Sequence, residues 1–232
     1  MILKELKMYR YETHFHTAET SACASAGAEK QIKFYKSRGF TGVFVTDHFF
    51  NGNTCVPSSL PWSERVERFC LGYENAKRVG DELGVDVFFG WEYSYMGADL
   101  LTYGLDKQWL LAHPLLLEMD PNSYCEFIAS EGGMIIQAHP FREANYISML
   151  RLFPRKCTGC EIINGSNSDE ENEIAEFYAK HYSLMPTAGS DNHSGEQERL
   201  CGIETSEKIR SSAHFIKLIQ SGEYSIFDTR NE

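Results

Sequence analysis

Apolar residues along this chain fall into short runs, and between the runs they recur at helical spacing. Tyr11–His16 and Gly42–Thr46 read as strands, and the stretch between them puts Ala28, Ile32 and Tyr35 on one helical face. Pro61–Leu83 predicts one long helix: Pro61 suits its first turn, Val66, Phe69, Cys70, Tyr73 and Ala76 form the apolar stripe, and Gly84 stops it. Val85–Trp91 and Asp99–Tyr103 follow as strands, then two short helical patches as far as Glu131. Met134–Ala138 and Cys160–Ile163 are bounded apolar runs of the kind that form buried strands. Asp169–Tyr182 predicts a helix with Ile174, Phe177, Tyr178 and His181 on one face. Met185–Gly189 and Leu200–Glu204 complete the strands, and a last helix lies around Phe215–Ile219.

Short apolar strands alternating with amphipathic helices indicate βαβ units and a mainly parallel sheet in an α/β fold. No repeat, low-complexity tract or linker divides residues 1–232, so a single domain is expected, with barrel-like closure favoured over an open sheet. In such folds the functional site lies at the carboxyl ends of the strands.

Composition narrows the partners. The 33 Asp and Glu outnumber 22 Lys and Arg, giving a formal net charge of −11. A long nucleic acid needs a basic stripe, and the group Lys30, Lys33, Lys36 and Arg38 is a solvated helix face instead. No run is long enough for a membrane helix, and the N-terminal residues lack a secretory pattern, so a cytoplasmic protein without membrane partners is expected. The 7 cysteines are read as reduced thiols. Cys157 and Cys160 have zinc-type spacing but no second pair, which favours small residues at the start of a buried strand.

The chemistry collects where the strands end. His14 and His16 close the first strand, and alternation points both to the same side. Asp47 and His48 close the second, Glu92 the third, His139 a later one, and Asp191 and His193 repeat the i, i+2 spacing after Gly189. One strand-end histidine is ordinary loop chemistry; this many, each after an apolar run, point to metal ions. Imidazoles mixed with carboxylates suit Zn, Mn or Fe. So many candidate ligands exceed what one ion can take, which implies two or three divalent metals, with Glu92 suited to bridge a pair. Glu19 and Asp99 are further candidate ligands, with solvent-exposed acids as the alternative reading. Arg142, three residues after His139, and Arg199 are candidate phosphate-binding groups, with surface ion pairing as the alternative. His113, His181 and His214 read as structural.

The ordered series HxH, TDH, GxE, AHP and SDxH, from His14 to His193, resembles the PHP (polymerase and histidinol phosphatase) family. The resemblance implies a distorted (β/α)7 barrel, a trinuclear metal centre and hydrolysis of phosphate esters by a stand-alone enzyme. His14, His16, His48, Glu92, His139, Asp191 and His193 would be metal ligands, and Asp47 would steady a ligand or a water. Two positions depart from the family pattern. Glu19 stands where many members have Asp or His after the HxH, and Asp99 where many have a histidine after the GxE. The expected reaction is attack on the phosphorus of a small, histidinol-phosphatase-like substrate by a metal-activated hydroxide, with Asp191 and Asp47 serving catalysis. The alternatives are a nucleotide phosphodiesterase of the same family, an amidohydrolase-type C–N hydrolase and a non-catalytic metal-binding module. Tyr93, Tyr95 and Trp62 would stack a base in the first of these, or belong to the core. Oligomeric state is left open.

Overall fold

The computed structural model describes residues 7–231. In chain order its main elements are β1 (Tyr9–Phe15), α1 (Ala28–Ser37), β2 (Gly42–Val45), α2 (Trp62–Phe69), α3 (Leu71–Leu83), β3 (Asp86–Tyr95), β4 (Ala98–Tyr103), α4 (Lys107–Ala112), α5 (Pro121–Ser130), β5 (Met134–Ala138), β6 (Gly159–Asn164), α6 (Asp169–Tyr182), β7 (Met185–Gly189), β8 (Cys201–Thr205), α7 (Ser212–Ser221) and β9 (Ser225–Asp228).

The strands form one sheet in the order β7-β6-β5-β4-β3-β2-β1-β8-β9. The sheet curls until its ends meet on one side only. Just beyond β7, the Asp191 N–H donates to the His14 carbonyl (2.8 Å) and the His16 N–H to the Asn192 carbonyl (3.0 Å), so the ring from β1 to β7 shuts at its carboxyl end. Near the other end β8 pairs antiparallel with Tyr9–Tyr11 of β1 and packs against β7. The result is a nearly closed, distorted seven-stranded barrel with β8 and β9 appended, in keeping with the expected architecture.

Three expectations need correction. The sheet is mixed, not mainly parallel: β1-β2-β3 and β5-β6-β7 are parallel, but β4 runs antiparallel to both neighbours, as does β8. β3 and β4 are joined through Met96 (φ 48°) and Gly97 (φ 89°), a tight hairpin turn with both residues left-handed. The long helix Pro61–Leu83 is two helices that change course at Cys70. The Thr20 hydroxyl takes the Phe69 carbonyl at the break (3.0 Å). Beyond it Gly72 lies so close to the site that a Cβ there would sit 2.1 Å from Thr17 Oγ1 and 2.5 Å from Asp47 Oδ2. Finally, α6 buries Asn172, Ala175, Tyr178 and Ala179, leaving Ile174 and Phe177 in solvent. Small residues let the helix lie close on β6, and the Asn172 side chain bonds both the N–H and the carbonyl of Asn164 (3.0 and 3.3 Å).

The largest apolar cluster lies around Phe49, Phe69, Trp91 and Tyr124, against the outward face of β3 and β4. It contains Tyr93, stacked on Tyr124, with Trp62 and Tyr95 packed at its border, so all three belong to the core. No helix among the described residues is long and apolar enough to cross a membrane.

Candidate metal centre

Strand alternation does the first placing. On β1, Tyr11, Thr13 and Phe15 take one side, while Glu12, His14 and His16 take the other and are fully buried within the ring. His48 follows β2, Glu92 lies within β3, His139 follows β5, and Asp191 and His193 follow β7. His139 (φ 26°) and Asp191 (φ 55°) both hold left-handed backbone, which costs a side-chain-bearing residue energy and persists where the surroundings enforce it.

The donors converge. His14 Nε2 and His16 Nε2 are 3.2 Å apart. Asp191 Oδ1 lies 3.4 Å from the first and 3.2 Å from the second. Glu92 offers Oε1 at 3.4 Å to His14 and Oε2 at 3.5 Å to His16. His14 Nε2, His16 Nε2 and Asp191 Oδ1 thus lie 3.2–3.4 Å from one another, the spacing of donors that share one tetrahedral ion with bonds of about 2.1 Å. On one flank His139 Nε2 lies 3.2 Å from Glu92 Oε1 and 3.9 Å from Asp99 Oδ2. On the other, His48 Nδ1 lies 2.7 Å from Glu92 Oε2, yet both atoms are buried without a hydrogen bond. Two donors that close and still unsatisfied fit a common cation. Four overlapping groups of donors result: His14–His16–Glu92, His14–His139–Asp191, Glu92–Asp99–His139 and His16–His48–His193.

Residues behind the donors fix which nitrogen faces the centre. The His14 Nδ1–H points to Glu161 Oε1 (3.0 Å), and the His193 Nδ1–H to the Asp191 carbonyl (3.0 Å). His16 Nδ1 meets the Ser21 hydroxyl (3.1 Å), which donates to Asp47 Oδ1 (2.7 Å). Each leaves Nε2 with its lone pair toward the ions, the usual arrangement behind ligating histidines. Asp47 therefore stands one step back from the cluster, held by the Thr17 N–H and hydroxyl (2.6 and 2.7 Å), and burial lifts its pKa to about 6.

Electrostatics favours a cation. Burial opposes ionisation of Glu92, but His48 and His14 hold its carboxyl well below the usual range. Asp191 is likewise ionised against burial, by His14 and Arg142. Burial disfavours charge on His14, yet Glu161, Asp191 and Glu92 push its pKa well up, while burial with His48 and His193 pulls His16 well down. Burial and the neighbouring Glu92 raise Asp99.

Not every expected residue arrives. Glu19 lies away from the cluster: its carboxylate accepts the Ala28 N–H at the start of α1 (3.1 and 3.0 Å) and the Asn75 amide (3.3 Å). Arg199 is spent on Asp228 (2.6 Å) and Asp169 (3.2 Å) on the α6–β9 side and lines no part of the cavity over the centre. Arg142 does reach it. Its Nη2 binds Asp191 Oδ2 (2.6 Å) and Asn164 Oδ1 (2.9 Å), and its Nε binds Asn167 Oδ1 (2.9 Å). It is the one Lys or Arg lining a cavity of about 500 Å³ among the described residues, together with Glu92, Asp99, His139, Asp191 and His193. His113, His181 and His214 fall outside the cluster, as expected; His113 stacks on Trp109.

Two residues of the site escaped the sequence reading. Glu161 is buried in the middle of β6 and also takes the His139 N–H (3.1 Å) and the Asn164 amide (2.8 Å). An acid within an apolar strand was the signal. Cys23 also lines the cavity; burial raises its thiol, but hydrogen bonds to His193 and His48 outweigh that and bring it to about 6.

Similar architectures are known. A two-domain protein from Bacteroides vulgatus, described as containing a predicted PHP-like metal-dependent phosphoesterase, superposes with a TM-score of 0.69 at 13% identity, covering 95% of this chain and 65% of that one. The fold is that of a PHP-type barrel. A candidate metal-dependent phosphoesterase from Bifidobacterium adolescentis gives a TM-score of 0.58 at 14% identity, covering 91% of this chain and 96% of that one. A Chromobacterium violaceum protein described as an amidohydrolase with bound sulfate and no metal gives 0.57 at 15%, covering 93% and 97%. No family model matches the sequence, and neither does any curated protein. The PHP-type likeness is therefore one of architecture.

Proposed function

We propose that this PHP-type barrel is a metal-dependent phosphoesterase acting on a small phosphate ester. The observation that carries the reading is the set of buried donors, His14, His16, Glu92 and Asp191, in which each carboxylate lies 3.2–3.5 Å from both ring nitrogens beneath an open cavity. Glu92 joins that set to His139 and Asp99 on one side and to His48 on the other, and these residues would hold two or three divalent ions of the Zn, Mn or Fe type. When bound, such ions supply an activated water and neutralise charge on a phosphoryl group.

The chain's own residues do the rest. Glu161 and Ser21 hold the His14 and His16 rings so that neither can turn its Nδ1–H toward the ions. Arg142 fixes Asp191 through Nη2, and its Nη1, which makes no hydrogen bond to the described residues, is available to a phosphate oxygen in the cavity it lines. That guanidinium favours a phosphate over an amide substrate. Asp47 acts through Ser21 rather than on the substrate.

The test is a panel of phosphomonoesters, phosphodiesters and amides, run with protein reconstituted separately with Zn, Mn and Fe, alongside elemental analysis. Turnover of a phosphate ester with at least two ions per chain is expected. Amide turnover alone would move the protein to the C–N hydrolases, and less than one ion per chain after reconstitution would end the metal reading.

A further inference from the structure

We infer that Tyr146 and Met96 form a leaving-group subsite, and that it selects the phosphate ester of an uncharged aromatic alcohol. The inference rests on the phosphoesterase reading above and deepens it. These are the two large apolar side chains, among the described residues, that line the cavity over the centre and still lie open to solvent, Tyr146 at 74% and Met96 at 65% exposure. The Tyr146 side chain makes no hydrogen bond or ring contact with the described residues, so both faces of its ring are free.

Both residues are built into one stretch of the rim. Met96 sits at the left-handed turn of the β3–β4 hairpin (φ 48°), and Tyr146 lies on the loop that follows His139. Arg142 anchors the start of that loop on Asp191, Asn164 and Asn167. Near its other end the Gln137 side chain donates to the Arg151 carbonyl (2.7 Å) and accepts the Phe153 N–H (3.0 Å). Arg151 in turn donates to the Met96 and Met149 carbonyls (2.5 and 3.2 Å), which ties loop to hairpin. Gly97 packs against the residue after Tyr146: a Cβ there would lie 3.3 Å from Ile147 Cγ2. The apolar surface is therefore held beside the centre and does not dangle over it.

Charge decides the kind of alcohol. Arg142 is the one Lys or Arg lining the cavity among the described residues, and its Nη2 and Nε are already bonded. With its remaining nitrogen on the phosphate, a second anionic group would meet no cation. The carboxylates in the lining, Glu92, Asp99 and Asp191, are donors of the centre, so a cationic group would find no acid left for it. Of the neutral groups there, Asn51 is already bonded to the Ser94 carbonyl and N–H (2.6 and 3.3 Å). What is offered to the alcohol is a tyrosine ring, on which a flat ring stacks, and a thioether, which packs well against an aromatic edge.

Two phosphonates, which carry no ester bond to cleave, test this apart from turnover. Calorimetry on the ion-loaded protein should show benzylphosphonate binding about 10-fold more tightly than methylphosphonate, close to the worth of covering most of a phenyl ring. Tyr146→Ala should cut that ratio to about twofold and Met96→Gln to about fourfold. Tyr146→Phe should keep it, as should Phe177→Ala, which removes an equally exposed ring on α6. In turnover, benzyl phosphate should be preferred to glycerol 3-phosphate, and more so to 3-phosphoglycerate and phosphoethanolamine, which add a charge. Tyr146→Ala should raise KM for benzyl phosphate and not lower kcat. Equal affinity for the two phosphonates, a ratio unchanged in Tyr146→Ala, or preference for a charged ester would each overturn the subsite and leave the phosphoesterase reading standing. Ion-loaded protein that binds neither phosphonate and cleaves no ester would overturn both.

Discussion

Arg142 and Arg199 look alike in isolation. Each guanidinium sits 2.6 Å from the oxygen of a nearly buried aspartate, Asp191 in one case and Asp228 in the other. What differs is the far side of the carboxylate. Asp191 turns its other oxygen toward His14 and His16, at the mouth of the barrel. Asp228 ends β9 and, with Asp169 at the start of α6, uses Arg199 to tie the appended strand to a helix. An arginine in a phosphate-friendly sequence position is thus informative only through what its carboxylate partner touches.

Four substitutions test that contrast, taken by their expected effect on the ion centre. Asp191→Ala removes a corner of the donor set and should cost more than about 100-fold in ion affinity and turnover, beyond the range typical of residues that merely support ligands. Elemental analysis and phosphatase assays read it; near-normal values would remove Asp191 from the centre. Glu161→Gln keeps the shape behind His14 and loses the charge, and should weaken ion binding roughly 10- to 100-fold. Competition with a chelating dye measures that.

Arg142→Lys comes next. It retains a charge but not the planar fork that holds Asp191 and Asn164 through Nη2 and Asn167 through Nε, so kcat/KM should fall about 10-fold, the cost of one charge-assisted hydrogen bond. Since Asp191 is steadied by that fork, ion affinity should fall with it. A fall in kcat/KM at unchanged ion affinity would mean that Arg142 serves the substrate alone. Arg199→Ala should leave ion content and turnover within about twofold while lowering unfolding free energy by about 2 kcal/mol. Denaturant titration detects the second effect, and an unaltered unfolding curve with impaired turnover would reverse the contrast.

The mouth of the barrel was legible because chemistry there interrupts a strong pattern. A histidine or acid directly after an apolar run has few structural reasons to exist, so His14, His48, His139 and Asp191 stood out, and the structure brings them together. Glu161 hid for the opposite reason: it lies inside its run, where strand alternation alone does not tell the interior of a barrel from its outside. Glu19 misled because proximity along a loop says nothing of direction, and a helix with an uncapped first turn drew it away. The α6 face failed on size. Ile174 and Phe177 carry the apolar area, but Ala175 and Ala179 permit the close approach to β6, and packing distance decided. Antiparallel β4 was readable too, since no helix separates Val85–Trp91 from Asp99–Tyr103, and the general rule for alternating elements obscured it.

The closure of the ring has a consequence for its breathing. β1 and the segment after β7 are held together by the amide protons of His16 and Asp191, two of the residues whose side chains form the donor set. Those protons exchange with solvent when β1 and that segment part. Ions that bind only the joined form make parting rarer; at an ion concentration about 100 times Kd they add about 2.7 kcal/mol to its cost. Exchange at these two amides should then slow about 100-fold when the centre is filled. The amides of Ile203 and Glu204 on β8, far from the donors, should change little, so the barrel reports its metal load through the rhythm of one seam.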